Sequence, residues 1–159
     1  MSGMESSRQV TVVEFDDRGR RQSTVTEPVV VHSDAEWKRL LGQEAFAVAR
    51  KNGTEWAFSG RYWNNHDRGL YRCVCCGTAL FRSESKFDSG SGWPSFQEPI
   101  APENVYTSRD ASLAEERNEV LCRLCDGHLG HVFDDGPAPT GLRYCINSAA
   151  LRLVKFVNN

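Results

Sequence analysis

Two C-x-x-C pairs, Cys73/Cys76 and Cys122/Cys125, can turn four thiolates onto one ion. Two intervening residues allow a tight turn that aims both sulfurs the same way. Four sulfurs then close a tetrahedron and leave no position for substrate water, so the metal is structural. The expected cofactor is one Zn2+, with iron as the alternative that an all-sulfur site also suits. Gly77 follows the first pair, where a tight turn calls for positive φ. Cys75 lies inside that pair, poorly spaced to be a ligand, and reads either as a bystander or as a recycling thiol.

Cys145 stands apart, in Arg143-Tyr144-Cys145-Ile146-Asn147-Ser148. Alternation predicts an extended strand with Arg143, Cys145 and Asn147 on one face and Leu142, Tyr144 and Ile146 on the other. A guanidinium two residues from a thiol favours the nucleophilic thiolate. A lone strand cysteine is more commonly a small buried hydrophobe, so its surroundings decide. His128-Leu129-Gly130-His131-Val132-Phe133 directly follows the second pair. Either imidazole can serve as a general acid near the thiol, or be held by hydrogen bonds in a loop. In Gly90-Ser91-Gly92-Trp93-Pro94-Ser95-Phe96, the proline holds Trp93 extended. Its indole is either a flat apolar wall for a small group such as a methyl, or a core side chain pinned by a turn.

The elements that must carry these groups are mostly strands. Residues 1–9 read as a disordered tail. Val10–Phe15 and Val25–Val31 read as two strands joined at Asp17-Arg18-Gly19, with Arg18, Arg20 and Arg21 on a solvated turn. Ser33-Asp34-Ala35-Glu36 is a capping box that opens a helix through Leu41, burying Trp37, Leu40 and Leu41 and ending at Gly42. A second helix spans about 44–51 and stops at Asn52-Gly53. From Thr54 onward, short extended runs broken by Gly, Pro, Asn and Asp predict a loop-rich, mainly antiparallel β domain. The division expected is residues 1–32 as a tail with a possible β-hairpin, and 33–159 as the main domain.

Composition narrows the classes. A chain of 159 residues makes one domain with a core of its own, which the metal reinforces rather than replaces. A net charge of -2 gives no footprint for nucleic acid and no polybasic membrane patch. No apolar run approaches the roughly 20 residues that cross a bilayer. A cytoplasmic location is expected, where C-x-x-C pairs bind metal rather than form disulfides.

Together these residues resemble the type B methionine sulfoxide reductases, the methionine (R)-sulfoxide reductases. The match runs from about Ser33 to Leu153. It is densest in Gly53-Thr54-Glu55, Tyr71–Gly77, Lys86–Gly90, Gly92–Phe96, His128–Gly136 and Arg143–Ser148. The resemblance implies a mainly β fold of two antiparallel sheets with short N-terminal helices and a structural zinc. It implies Cys145 as nucleophile and Trp93 against the substrate methyl. It places His128, His131, Arg143 and Asn147 around the sulfoxide oxygen. The implied substrate is the R epimer of methionine sulfoxide, mainly in oxidised proteins or peptides, with thioredoxin as reductant. Many relatives carry a resolving cysteine where this chain has Ser91, so recycling falls to an external thiol or to Cys75.

Two other classes use the same residues. A zinc-dependent binding module would show no single hyper-reactive cysteine. A cysteine hydrolase would pair Cys145 with His131 and Asn147 for acyl transfer. A zinc deaminase lacks its H-x-E partner.

Overall fold

The computed structural model describes residues 8–110 and 117–156; the expected tail thus lies almost wholly outside the described residues. A hairpin comes first, β1 (Gln9–Phe15) against β2 (Arg21–Pro28). The second strand begins and ends earlier than 25–31 because its turn is tight. Asp16 Oδ1 accepts the backbone N–H groups of Arg18 and Arg20 at 2.9 and 3.0 Å, so pairing resumes at Arg21.

Two helices follow, α1 (Asp34–Leu41) and α2 (Gln43–Ala49). Ser33 Oγ accepts the Glu36 amide at 3.1 Å, the cap the capping box predicts. Trp37 is buried and Leu41 half-buried, but Leu40 is 52% exposed, against expectation. The cause is the chain reversal at Gly42, where φ is 83°. Two turns of helix present only the Trp37–Leu41 ridge to the core, and Leu40 falls beside it.

The remaining strands are β3 (Gly69–Cys73), β4 (Ala79–Arg82), β5 (Lys86–Phe87), β6 (Ser95–Phe96), β7 (Val105–Asp110), β8 (Arg117–Cys122), β9 (His128–Phe133), β10 (Arg143–Ile146) and β11 (Leu151–Lys155). They form a six-stranded sheet, β5-β6-β10-β9-β8-β7, and a three-stranded sheet, β11-β3-β4, with antiparallel pairing throughout. These are the two antiparallel sheets the resemblance implies, with the hairpin as a third, smaller one.

Aromatic packing joins the two larger sheets. Phe81 of β4 stacks on Phe96 of β6 with centroids 4.3 Å apart, and Tyr71 of β3 meets Phe96 edge-on at 5.2 Å. All three rings are fully buried. The hairpin covers a second apolar cluster, laying Val13 and Phe15 over Leu70, Ala79 and Ala101. Asn104, fully buried, fastens it: its amide accepts Val13 N–H at 2.8 Å and donates to the carbonyls of Val13 and Ala79 at 2.9 and 2.8 Å. No helix among the described residues is long and apolar enough to cross a membrane.

Candidate active site

The two C-x-x-C pairs form matching turns. Cys73 closes β3 and Cys122 closes β8. Each first cysteine accepts at its carbonyl, at 2.9 Å, the amide of the residue four positions on, Gly77 in one turn and Asp126 in the other. Both of those residues have positive φ, 84° and 61°, which glycine adopts without strain and aspartate tolerates. The matched turns bring all four sulfurs within 4.8 Å of one another. Cys73 and Cys125 Sγ are 3.7 Å apart, and Cys76 and Cys122 Sγ 3.5 Å. A tetrahedron with metal–sulfur bonds of about 2.3 Å requires sulfur separations of about 3.8 Å, so the quartet fits one metal ion. Arg50, at the end of α2, donates Nη1 to Cys125 Sγ at 3.5 Å and to its carbonyl at 2.9 Å. That cation offsets the negative charge four thiolates would bring. Cys75 lies outside the quartet. Its Sγ lies 3.9 Å from Arg50 Nη1, beside the same cation.

The second site lies on β10, in the middle of the six-stranded sheet. Cys145 is in register with His131 of β9 on one side and Ser95 of β6 on the other. The strand alternates as expected. Tyr144 and Ile146 enter the core, while Arg143, Cys145 and Asn147 line a cavity of about 420 Å³ together with Trp93, His131 and Phe133. β9 can approach this closely because Gly130 faces Ile146 there: a Cβ at 130 would lie 2.0 Å from the Cys145 carbonyl oxygen.

Each wall of the cavity is fixed by a partner. The Trp93 indole N–H donates to the Glu55 carbonyl at 3.0 Å. Arg143 reaches Asp135 with Nε at 2.9 Å and Nη2 at 3.2 Å, and its guanidinium lies 4.4 Å from the centre of the Phe133 ring. The Asp135 carboxyl is held below its ordinary range by that guanidinium, and Arg143 is raised first by Asp135 and further by the neighbouring Cys145. Asn147 is buried and engaged on both sides, accepting Glu55 N–H at 3.1 Å and donating to the Leu129 carbonyl at 3.1 Å. The Glu55 carboxylate, also buried, accepts the amides of Ser148 and Ala149, each at 2.9 Å.

His128 does not line the cavity. It is buried behind His131, with ring centroids 5.6 Å apart, and its Nδ1 lies 2.7 Å from Glu119 Oε2. Residues three apart on a regular strand face opposite ways. Here Leu121 pairs with His128 and Val120 with Gly130, so Leu129 is an extra residue, and this bulge brings both imidazoles to one side. Nothing local in the sequence signals the Glu119–His128 contact, because it depends on that register. Glu55, Phe133 and Asp135 fall inside the motif runs, yet their roles emerge only from their three-dimensional partners.

Two sheets clamped at a four-thiol centre, with a further thiol facing an aromatic-walled cavity, define a small cysteine-bearing enzyme domain. The chain belongs to the SelR domain family, whose model matches residues 41–155. The resemblance to the type B methionine sulfoxide reductases is borne out, and the chain is an oxidoreductase. It is 56% identical to the peptide methionine sulfoxide reductase MsrB of Herminiimonas arsenicoxydans over 77% of this chain and 90% of that protein. It is 54% identical to the protein of that name from Synechococcus sp. (strain RCC307), over 80% and 93%. It is 57% identical to the chloroplastic peptide methionine sulfoxide reductase B1 of Arabidopsis thaliana, over 76% and 60%.

Proposed function

We propose that the protein reduces methionine R-sulfoxide, mainly in oxidised proteins and peptides, with Cys145 as the nucleophile. The observation that carries this reading is one cavity shared by a thiol, a guanidinium, an imidazole and an indole. The Cys145 thiolate attacks the sulfoxide sulfur. The oxygen passes to the cysteine, leaving methionine and a sulfenic acid on Cys145. His131, in register with Cys145, supplies the proton the oxygen takes up as it leaves the substrate sulfur. Trp93 packs on the substrate methyl, while Arg143 orients the oxygen and favours the thiolate. Asn147, in the cavity wall, joins the Glu55 loop to β9, and His128 acts one layer back by backing His131.

An external dithiol, thioredoxin in the cell, then returns the sulfenic acid to the thiol, releasing water and a disulfide. Ser91 lines the cavity, so no sulfur is supplied from that position. Cys75 is packed beside Arg50 at the metal turn instead. Zinc is the ion proposed for Cys73, Cys76, Cys122 and Cys125. It supplies a fixed crosslink between β3 and β8, and no step passes through it. The boundary at residue 32, with a hairpin-bearing appendage before and the reductase domain after, belongs to this reading, as does a reducing, cytoplasmic setting in which the cysteines stay thiols.

Both epimers should be assayed with dithiothreitol and separately with thioredoxin. Only the R epimer is expected to turn over. Cys145→Ser should abolish turnover while retaining metal, and His131→Gln should lower kcat by about 10²–10⁴-fold. Full turnover by Cys145→Ser would refute the assignment. Hydrolysis of an ester without added thiol would favour the acyl-transfer alternative.

A further inference from the structure

We propose that Trp56 and Phe58 form an apolar lip beside the Cys145 cavity, one that grips a hydrophobic side chain flanking the oxidised methionine in an extended polypeptide. The proposal rests on the reductase reading and adds a preference for sequence context. Trp56 is 85% exposed and Phe58 56%. Single exposed apolar residues are ordinary, and Val31 and Leu40 are of that kind. Trp56 and Phe58 differ in where they sit. They share one loop, and that loop is built into the cavity wall.

Thr54, two residues before Trp56, lines the cavity. Two residues of chain span at most about 7 Å, so Trp56 lies at the rim. The intervening Glu55 holds the Trp93 indole through its carbonyl. Phe58 donates its amide to the Gly92 carbonyl at 2.7 Å. A Cβ on Gly92 would come within 2.8 Å of Ala57 Cβ and of the Phe58 ring, so the loop and the Trp93 segment are in direct contact. Phe58 also adopts φ 65°, a conformation a bulky residue takes only when its surroundings impose it. The Phe58 ring is braced edge-on by Trp63 at 4.9 Å. The Phe58 ring is thus held in fixed relation to the substrate wall, and the Trp56 indole stands in water on the same loop.

The occupant follows from the continuity of lip and cavity. The cavity receives one side chain, and the backbone delivering it advances about 3.3 Å per residue. A residue two positions from the methionine therefore lies about as far from the cavity as Trp56 does. An apolar side chain at that position would meet the indole. A second copy of this chain would instead cover the lip as a folded surface.

The test uses the full chain, with dithiothreitol, on free methionine R-sulfoxide and on two peptides that differ only two residues from the methionine R-sulfoxide, leucine in one and serine in the other. Wild type should favour the leucine peptide by about fivefold to tenfold in kcat/KM, expressed through KM, with Trp56→Ser reducing the ratio to about one and Trp56→Phe keeping most of it. Free methionine sulfoxide, which does not reach the lip, is the common reference. Melting checks that each variant is folded. A leucine preference undiminished in Trp56→Ser overturns the proposal, as does equal use of both peptides by wild type. A dimer in sedimentation that dissociates in Trp56→Ser overturns it in favour of a self-interface. Turnover of none of the three substrates refutes the reductase reading and this proposal with it, whereas turnover of all three without preference refutes the lip alone.

Discussion

A thiol is as reactive as the charges and donors around it allow. At Cys145 these are the Arg143 guanidinium, itself tied to Asp135, and the His131 imidazole in register with it. The layer behind is as specific. Glu119 accepts from a nearly sealed His128, whose Nε2 has no partner among the described residues. Glu119→Ala leaves the buried imidazole with neither nitrogen paired, which costs about 1–3 kcal/mol. Thermal unfolding should therefore fall by several degrees, with metal content unchanged. Cys75 has no assigned step, and Cys75→Ser should keep its metal and its dithiothreitol-driven turnover. A stoichiometric Cys75–Cys145 disulfide in oxidised wild type would instead assign it the recycling role.

At the scale of elements, strands were legible wherever period two was clean. β10 is the best case, because Tyr144 and Ile146 face the core and Arg143 and Cys145 the cavity. β9 was not legible in this way, since its bulge at Leu129 arises from pairing with β8 and has no local signature. The first helix began and ended where its caps require, but burial of Leu40 depended on where α2 leaves the ridge. The hairpin is fastened by a buried amide in addition to its apolar cluster. Asn104→Ala removes its hydrogen bonds to Val13 and Ala79 and should cost about 1–3 kcal/mol, lowering Tm by roughly 2–4 °C per kcal/mol in a chain of this size. The loop before β6 places Ser91 in the cavity with Cys145. In Ser91→Cys, one equivalent of substrate should consume two titratable thiols rather than one.

For the molecule as a whole, the four-thiol centre is the joint. Cys73 and Cys76 belong to the three-stranded sheet's β3–β4 turn, Cys122 and Cys125 to the six-stranded sheet's β8–β9 turn, and Arg50 brings in α2. One ion held by the four sulfurs would thus tie together both sheets and a helix. Structural zinc contributes on the order of 10–16 kcal/mol of apparent binding energy in small peptides, more than the net stability of most domains. Cys76→Ser, or a strong chelator acting on wild type, should remove metal and cooperative melting together. Normal zinc and normal melting in Cys76→Ser would refute the assignment.

Residue types and spacing alone determined the four-sulfur centre, the reactive-face alternation around Cys145 and the mainly β class. Each of these rests on local rules: a two-residue turn, a period of two, a capping box. Tertiary structure alone decided that His128 backs the cavity rather than lining it, that Glu55 and Glu119 serve as anchors, and that Trp56 stands in water beside the cavity. Those outcomes depend on strand register and on contacts between segments far apart in the chain. A one-residue bulge changes which side chains share a face, and no window of neighbouring residues encodes its position.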